Sequence, residues 1–429
     1  MVNGERLGRI VTRNPQGDEA ESPSLAERGR FCQNFRAETG DSPMPRLPFE
    51  VQSRLPAVGT TIFTRMSRLA QECGAINLSQ GFPDFEADPE LFARVQHWMR
   101  AGANQYAPMA GMPQLREAIA TKLQALYGAA YDAETEITVT AGATQALFTA
   151  VAALVHPGDE VIVFEPVYDS YIPAIELQGG MVRRARLQAP DYRPDWAEVA
   201  ALISPRTRMI MINTPHNPSG AVWSAADMAQ LAALVRGTDI IIVSDEVYEH
   251  IVFDGARHES VARYPALAER SLVVSSFGKT YHVTGWKVGY LCAPAALMAE
   301  FRKVHQFNVF TVNTPVQLAL ADFMANPAHH LELAAFYQQK RDQFRAALAA
   351  TRFERLPCAG TYFQTVRYGA ISDASDTAFV EWLTREVGVA AIPLSAFFTD
   401  GRDEGVIRFC FAKRPETLQA ACERLERFC

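Results

Sequence analysis

From about residue 134 the chain alternates short apolar runs with longer stretches of helical periodicity. The apolar runs are EITVT (136–140), EVIVFEP (160–166), RMIMINTP (208–215), DIIIVSDEVY (239–248) and SLVVSSFG (271–278). A strand with one wet face alternates apolar and polar residues, whereas a strand covered on both faces reads as apolar throughout. These runs are therefore predicted as buried parallel strands. The segments between them, such as AGATQALFTAVAALV (141–155), are predicted mostly as helices that cover the sheet. Such an alternation specifies a doubly wound α/β domain. Ligands in that architecture gather at the carboxyl ends of the strands. Asn217, Asp245 and Lys279 all sit just after predicted strands.

The pattern changes near residue 325. A helical stretch, LELAAFYQQKRDQFRAALAA, leads to short strands (TYFQTVRY, VIRFCFAK) and a final helix. The expected organisation is a large domain over 86–324 and a small α+β domain over 325–429. Residues 44–85 form an N-terminal arm that folds back onto the small domain. Residues 1–43 mix Arg with Asp, Glu, Gly, Ser and Pro and lack an apolar run, so disorder is expected there. They contain no secretory segment, and their acidic residues count against a mitochondrial leader. Met44 opens the more folded-looking sequence.

Composition narrows the function classes. The chain has 429 residues, 48% hydrophobic and 21% charged, with a formal charge of −7. That charge and the lack of any Lys/Arg block argue against a nucleic-acid or membrane-surface partner. No run of 18 uncharged apolar residues is present, so no transmembrane helix is expected. The seven cysteines are scattered and form no C-x-x-C. A reduced, cytoplasmic setting is expected, without a disulfide framework or a metal site.

The stretch SSFGKTYHVTGWKVGY (275–290) poses the chemical question, because Gly278-Lys279-Thr280 has the look of a phosphate-binding loop. That loop needs glycine at 273, and Val273 stands there within a strand. No G-x-G-x-x-G follows a strand either. The remaining reading is a lysine that forms a Schiff base, which must be partly unprotonated. Burial and a nearby cation promote that state; Lys287 could be the cation, although phosphate binding is its first expected role. A pyridine-ring cofactor acting as an electron sink also wants a carboxylate at its ring nitrogen, and Asp245 is placed for it.

The ordered series NQYAPMAG (104–111), AGATQALF (141–148), NTPHNPSG (213–220), SDEVY (244–248), SSFGKTYHVTGWKVGY and IRFCFAK (407–413) resembles the class I/II aminotransferases of fold type I, which use pyridoxal 5′-phosphate. NLSQGFPDF, QYAPMAGMPQLREAIA and KVHQFNVFTVNTPVQLALA narrow the likeness to the methionine/kynurenine branch, and most of all to bacterial methionine aminotransferases. The resemblance covers residues 48–429. It implies that Lys279 holds the cofactor as an aldimine and later shuttles the proton, with Asp245 at the ring nitrogen. It also implies that Tyr248 and Asn217 bond the ring oxygen and that Tyr168 stacks on the ring. Ala143, Thr144, Ser276 and Lys287 would bind the phosphate, together with Tyr106 from a partner subunit. Lys287 stands where many relatives carry Arg, a substitution found in this branch. Arg408 would anchor the substrate carboxylate, near Gly81 and Asn217. A homodimer with shared active sites follows from the role of Tyr106.

The second arginine of dicarboxylate-specific relatives has no evident counterpart. Phe310 of a partner subunit, with Ile62 or Phe63, is expected to form an apolar wall instead. The expected reaction moves the amino group of methionine, or of a similar apolar or aromatic amino acid, to a 2-oxo acid. The alternatives are a kynurenine or glutamine aminotransferase with β-lyase activity on cysteine S-conjugates, and an acyltransferase or C–S lyase of the same fold. A transcription regulator carrying an aminotransferase-like domain is a further alternative. It needs a DNA-binding domain in front, for which residues 1–43 are too short and unpatterned.

Overall fold

The computed structural model describes residues 47 and 49–429, and the extension expected over 1–43 lies outside them. The chain divides into a unit over residues 1–53 and a unit over residues 54–429. The described residues of the first unit form no helix or strand.

In the second unit the strand series opens with β1 (Ile76–Asn77). The next seven are β2 (Ile137–Thr140), β3 (Glu160–Glu165), β4 (Met181–Arg186), β5 (Thr207–Asn213), β6 (Ile241–Asp245), β7 (Ser271–Ser276) and β8 (Gly289–Cys292). They form one sheet in the order β2-β8-β7-β6-β5-β3-β4. Val161, Val163, Met209, Met211, Val243, Leu272 and Val274 face a core under the helix Ala143–Leu154. Their neighbours Ile162, Phe164, Ile210, Ile212, Ile242 and Val273 face the other core. Both faces are dry, which is why these segments read as continuous apolar runs and not as alternating ones.

The five predicted runs all point the same way. Two further strands were not anticipated. β4 reads MVRRAR and lies at the edge of the sheet, largely exposed. Its arginines serve an edge position, with Arg183 bonding Glu160 at 2.8 Å, and no apolar run announces it. β8 has four residues and runs antiparallel between β2 and β7. Its reversal brings Gly289 beside both Thr140 and Ser276. The end of β2, the end of β7 and the start of β8 therefore meet at one edge of the sheet.

The later strands are β9 (Glu354–Arg355), β10 (Phe363–Arg367), β11 (Val389–Ala390), β12 (Ile392–Pro393) and β13 (Val406–Cys410). Four of them form an antiparallel sheet in the order β12-β13-β10-β9. β1 pairs parallel with β11, so residues early in the chain join strands near its end. The expected helix after 325 is found at Leu333–Leu348 and the final one at Pro415–Phe428.

A buried ion pair ties the helix Pro113–Tyr127 to the segment after β6. Lys122 Nζ lies 2.7 Å from Glu249 Oε1, and both side chains are nearly dry. Glu249 also accepts from the hydroxyls of Tyr127, Ser275 and Tyr290. Burial alone would raise this carboxyl, but the Lys122 ammonium and the hydroxyl donors outweigh it and hold the group well below its usual range. A depressed carboxylate stabilises the fold above its unfolded pKa, about 4.3, and that contribution fades as the pH falls further. Removing one partner of such a pair leaves an uncompensated charge, which costs about 3–5 kcal/mol. Lys122→Met is expected to destabilise the protein by that amount in urea unfolding at neutral pH. The gap to the wild type should shrink below about pH 4.

Candidate functional site

The carboxyl edge of the large sheet opens into a cavity of about 260 Å³. Asp245 closes β6 and pairs in register with Asn213 at the end of β5. Lys279 follows β7 in the one-turn helix Phe277–Thr280. Arg408 reaches the same cavity from β13 of the smaller sheet. The cavity is also lined by Gly81, Ala143, Thr144, Tyr168, Asn217, Tyr248, Ser276 and Lys287. All the expected site residues but two are thus brought together.

The exceptions are Tyr106 and Phe310, which line no part of this chain's cavity. Their rings contact each other at 5.3 Å, and they are 82% and 40% exposed. Sequence reasoning assigned both to a neighbouring subunit's site. Of the two suggested wall residues, Phe63 lines the cavity and Ile62 does not.

Burial governs the charged groups. It pushes the Lys279 ammonium down to about 8, and the Arg408 and Lys287 cations act in the same direction. Arg408 outweighs Lys287, the cation first considered for this role, because Arg408 is itself dry and poorly screened. Lys279 Nζ donates to Gly81 O at 3.1 Å and to Tyr362 Oη at 2.9 Å. Asp245 is pushed up to about 6 by burial, against hydrogen bonds from Tyr171 Oη at 2.5 Å and from the Val247 amide at 3.3 Å. A buried carboxylate in this state is stabilised by any cationic N–H donor that reaches it.

Arg408 is 1% exposed. Its carbon centre lies 3.9 Å from the Phe363 ring centroid and 5.1 Å from that of Phe397. Nη1 donates to Asn217 Oδ1 at 2.6 Å and Nη2 to Ser79 O at 3.3 Å, while the buried Nε has no partner among the described residues. Burial lowers its pKa to about 10, so it stays cationic at neutral pH. A dry guanidinium bonded to neutral oxygens, with a donor to spare, is suited to a carboxylate. Asn217 is held in turn by Asn213, whose Oδ1 accepts from the Asn217 amide at 2.8 Å and whose Nδ2 donates to Asp245 O at 2.9 Å. With its oxygen turned to Arg408, the Asn217 amide has its N–H groups left to donate to a ligand oxygen. The turn near Gly81 is close-fitting, because a Cβ there would stand 2.8 Å from Phe363 Cζ.

An anion cradle lies at the opposite end. Gly142 (φ +82°) starts the helix Ala143–Leu154 with no side-chain cap. The amides of a first helical turn have no partner within the helix, and the helix dipole adds positive potential. Lys287 stands beside it, with its Nζ 3.6 Å from where a Cβ on Gly142 would be. The reversed β8 strand puts Lys287 next to this helix start and Ser276.

Tyr171, Asn213, Tyr362, Phe363 and Asp169 also serve the cavity or its residues and were not singled out from the sequence. Tyr171 opens the helix Tyr171–Leu177 three residues after Tyr168, and the two rings meet edge-on at 5.7 Å. Asp169 lines the cavity, and burial raises its carboxyl. Tyr362 gave no signal, because it sits in a short strand-like run where an aromatic residue reads as core.

The family described as aminotransferase class I and II matches residues 74–425. Methionine aminotransferase of Escherichia coli (strain K12) is 58% identical over 385 residues, covering 90% of this chain and 100% of that protein. Kynurenine–oxoglutarate transaminase 1 of Homo sapiens is 32% identical over 410 residues, covering 87% and 97%. The crystal structure of YbdL from Escherichia coli, identified there with a methionine aminotransferase function, matches with a TM-score of 0.87 at 58% identity. That match covers 89% of this chain and 100% of the other.

A lysine lowered to about 8 carries roughly 300-fold more neutral amine at pH 7 than an ordinary one. Carbamylation of Lys279 by cyanate in the cofactor-free protein, followed by peptide mass mapping, is expected to rise with pH and level off above about 8. Exposed lysines should continue to rise toward about 10.

Proposed function

Since the chain belongs to the class I and II aminotransferases, enzymes of fold type I that depend on pyridoxal 5′-phosphate, we propose that it moves the amino group of methionine, or of a similar apolar or aromatic L-amino acid, to a 2-oxo acid. The observation that carries this reading is the cavity shared by Lys279, Asp245 and Arg408, of which the last two are buried and Lys279 half-buried. The residues present fit the cofactor. The uncapped helix start at Gly142, with Thr144, Ser276 and Lys287, would hold its phosphate. Asp245 would pair with the protonated ring nitrogen, Tyr248 and Asn217 would donate to the ring oxygen, and Tyr168 would cover the ring face. Bound there, the cofactor supplies an electron sink for the pair left when the substrate Cα–H bond breaks.

The protein's own groups do the rest. Arg408 holds the substrate carboxylate bidentately and so orients the Cα–H bond. Lys279 Nζ, neutral in an appreciable fraction of molecules, would take the proton from Cα and hold it for its return. Phe63 provides an apolar wall for the side chain, and among the described residues no second arginine lines the cavity to receive another carboxylate. The 58% identity to a methionine aminotransferase along that protein's whole length favours methionine as donor.

The reading extends to assembly. Tyr106 and Phe310, exposed side by side, would complete the neighbouring subunit's phosphate and substrate sites in a cytoplasmic homodimer. Residues 86–324 would form the cofactor domain and 325–429, with 44–85, the smaller one. No helix among the described residues is long and apolar enough to cross a membrane.

A panel of amino donors against 2-oxo acids tests the reading. Methionine should give the highest kcat/KM, with Lys279→Ala inactive and lacking the cofactor's visible absorption. Preference for kynurenine or glutamine would move the assignment to the neighbouring activity, and full activity in Lys279→Ala would end it. Arg408→Ala should lower kcat/KM roughly 100- to 1,000-fold, mainly through KM, since it removes two charge-assisted hydrogen bonds. The loss should be equal for all donors.

A further inference from the structure

Tyr362 lies at the end of a strained turn and touches the reacting lysine. Thr361 has φ +64°, a left-handed conformation that a β-branched residue rarely adopts. It is held there by its own amide, which donates to Ile251 O at 2.9 Å, and by the Phe363 amide, which donates to Thr361 Oγ1 at 3.2 Å. Backbone strain of this kind persists only where the surroundings enforce it, and it concentrates at functional sites. Its consequence here is a fully buried phenol, Tyr362, packed edge-on to Tyr248 at 5.1 Å.

The Tyr362 hydroxyl donates to Gly81 O at 2.6 Å and accepts from Lys279 Nζ at 2.9 Å. Gly81 O accepts from Nζ as well, at 3.1 Å. Two oxygen acceptors thus converge on one half-buried amine. Because the phenol's own proton is committed to Gly81 O, its oxygen presents a lone pair to the lysine. That arrangement favours an ammonium over a neutral amine.

We propose that Tyr362, with the Gly81 carbonyl, is the dock for the Lys279 ammonium in the interval between its two proton transfers. The role rests on the aminotransferase reading above. In the first transfer the lone pair of Nζ would take the Cα proton, with the bound cofactor supplying the sink for the C–H electron pair. In the second, the docked ammonium would give that proton up again and become a neutral amine. The dock holds the proton at Nζ and keeps the ammonium aimed along the same path both ways. Tyr362 is then a catalytic residue by contact with the reacting nitrogen, distinct from Tyr248.

Tyr362→Phe removes one oxygen and leaves the ring packing. In the cofactor-free variant the pH midpoint of Lys279 carbamylation should fall by about half to one unit, the loss of one hydrogen bond to the charged form. In the loaded variant kcat should fall roughly 10-fold with KM for the donor little changed. The isotope effect with α-deuterated donor should rise as proton transfer becomes more limiting. A folded variant with an unchanged midpoint and an unchanged isotope effect overturns the dock. Loss of cofactor binding with an unmoved midpoint also overturns it, by giving Tyr362 a scaffold role. Should the Phe variant not fold, Tyr362→Leu, which also lacks the oxygen, must show the same fall in the midpoint, and its absence overturns the proposal. If the wild type fails to transaminate, the functional reading falls, whereas the midpoint shift still judges the dock.

Discussion

The structure turns on partnering three charged groups that share one cavity. Burial is the largest influence on Lys279, Asp245 and Arg408 alike, lowering the two bases and raising the acid. Charged groups brought into one dry cavity cost several kcal/mol each unless donors and acceptors surround them. Tyr171 supports Asp245, Asn217 and two aromatic planes support Arg408, and Tyr362 with Gly81 O supports Lys279. What these neighbours leave unmet is a cationic partner for Asp245 and an anion for Arg408. Under the proposed reading, cofactor and substrate supply both.

The sheet explains how distant residues converge. Parallel strands β5, β6 and β7 deliver Asn213, Asp245 and Ser276 to one edge, as doubly wound folds do. The antiparallel β8 then returns the chain to that edge at Gly289, two residues past Lys287. A parallel strand there would enter from the opposite edge and leave Lys287 far from the helix at Gly142. The spacing between Lys279 and Lys287 is therefore a consequence of one reversal: out of the sheet after β7, around the turn, and back.

The second sheet supplies what the large one cannot. Arg408 comes from β13 and meets Asn217, which belongs to the loop after β5, 191 positions earlier in the chain. Gly81 and Ser79 follow β1, whose pairing with β11 holds the early residues beside the late strands. The Arg408 end of the cavity is thus built from three separated segments, and the Asp245 end from the large sheet and the loops that follow its strands.

By itself the sequence determined the elements whose burial is uniform. The five apolar runs became parallel strands because strands dry on both faces leave an unbroken apolar signature. Residues at their ends, Asp245 and Lys279 among them, fell at the ligand edge for the same reason. Motif order was also legible: Arg in VIRFCF is hard to account for as packing, and the lysine in FGKT gains its meaning from the ordered series around it. Only the tertiary structure decided the direction of the four-residue β8, the edge place of the arginine-rich β4, and the partners of each charged group. Local composition carries no record of such choices, because they depend on which distant surface arrives alongside. Tyr362 shows this most plainly. Its ring reads as core from any window of sequence, and its hydroxyl acquires a role only where the fold sets it against Lys279 and Gly81.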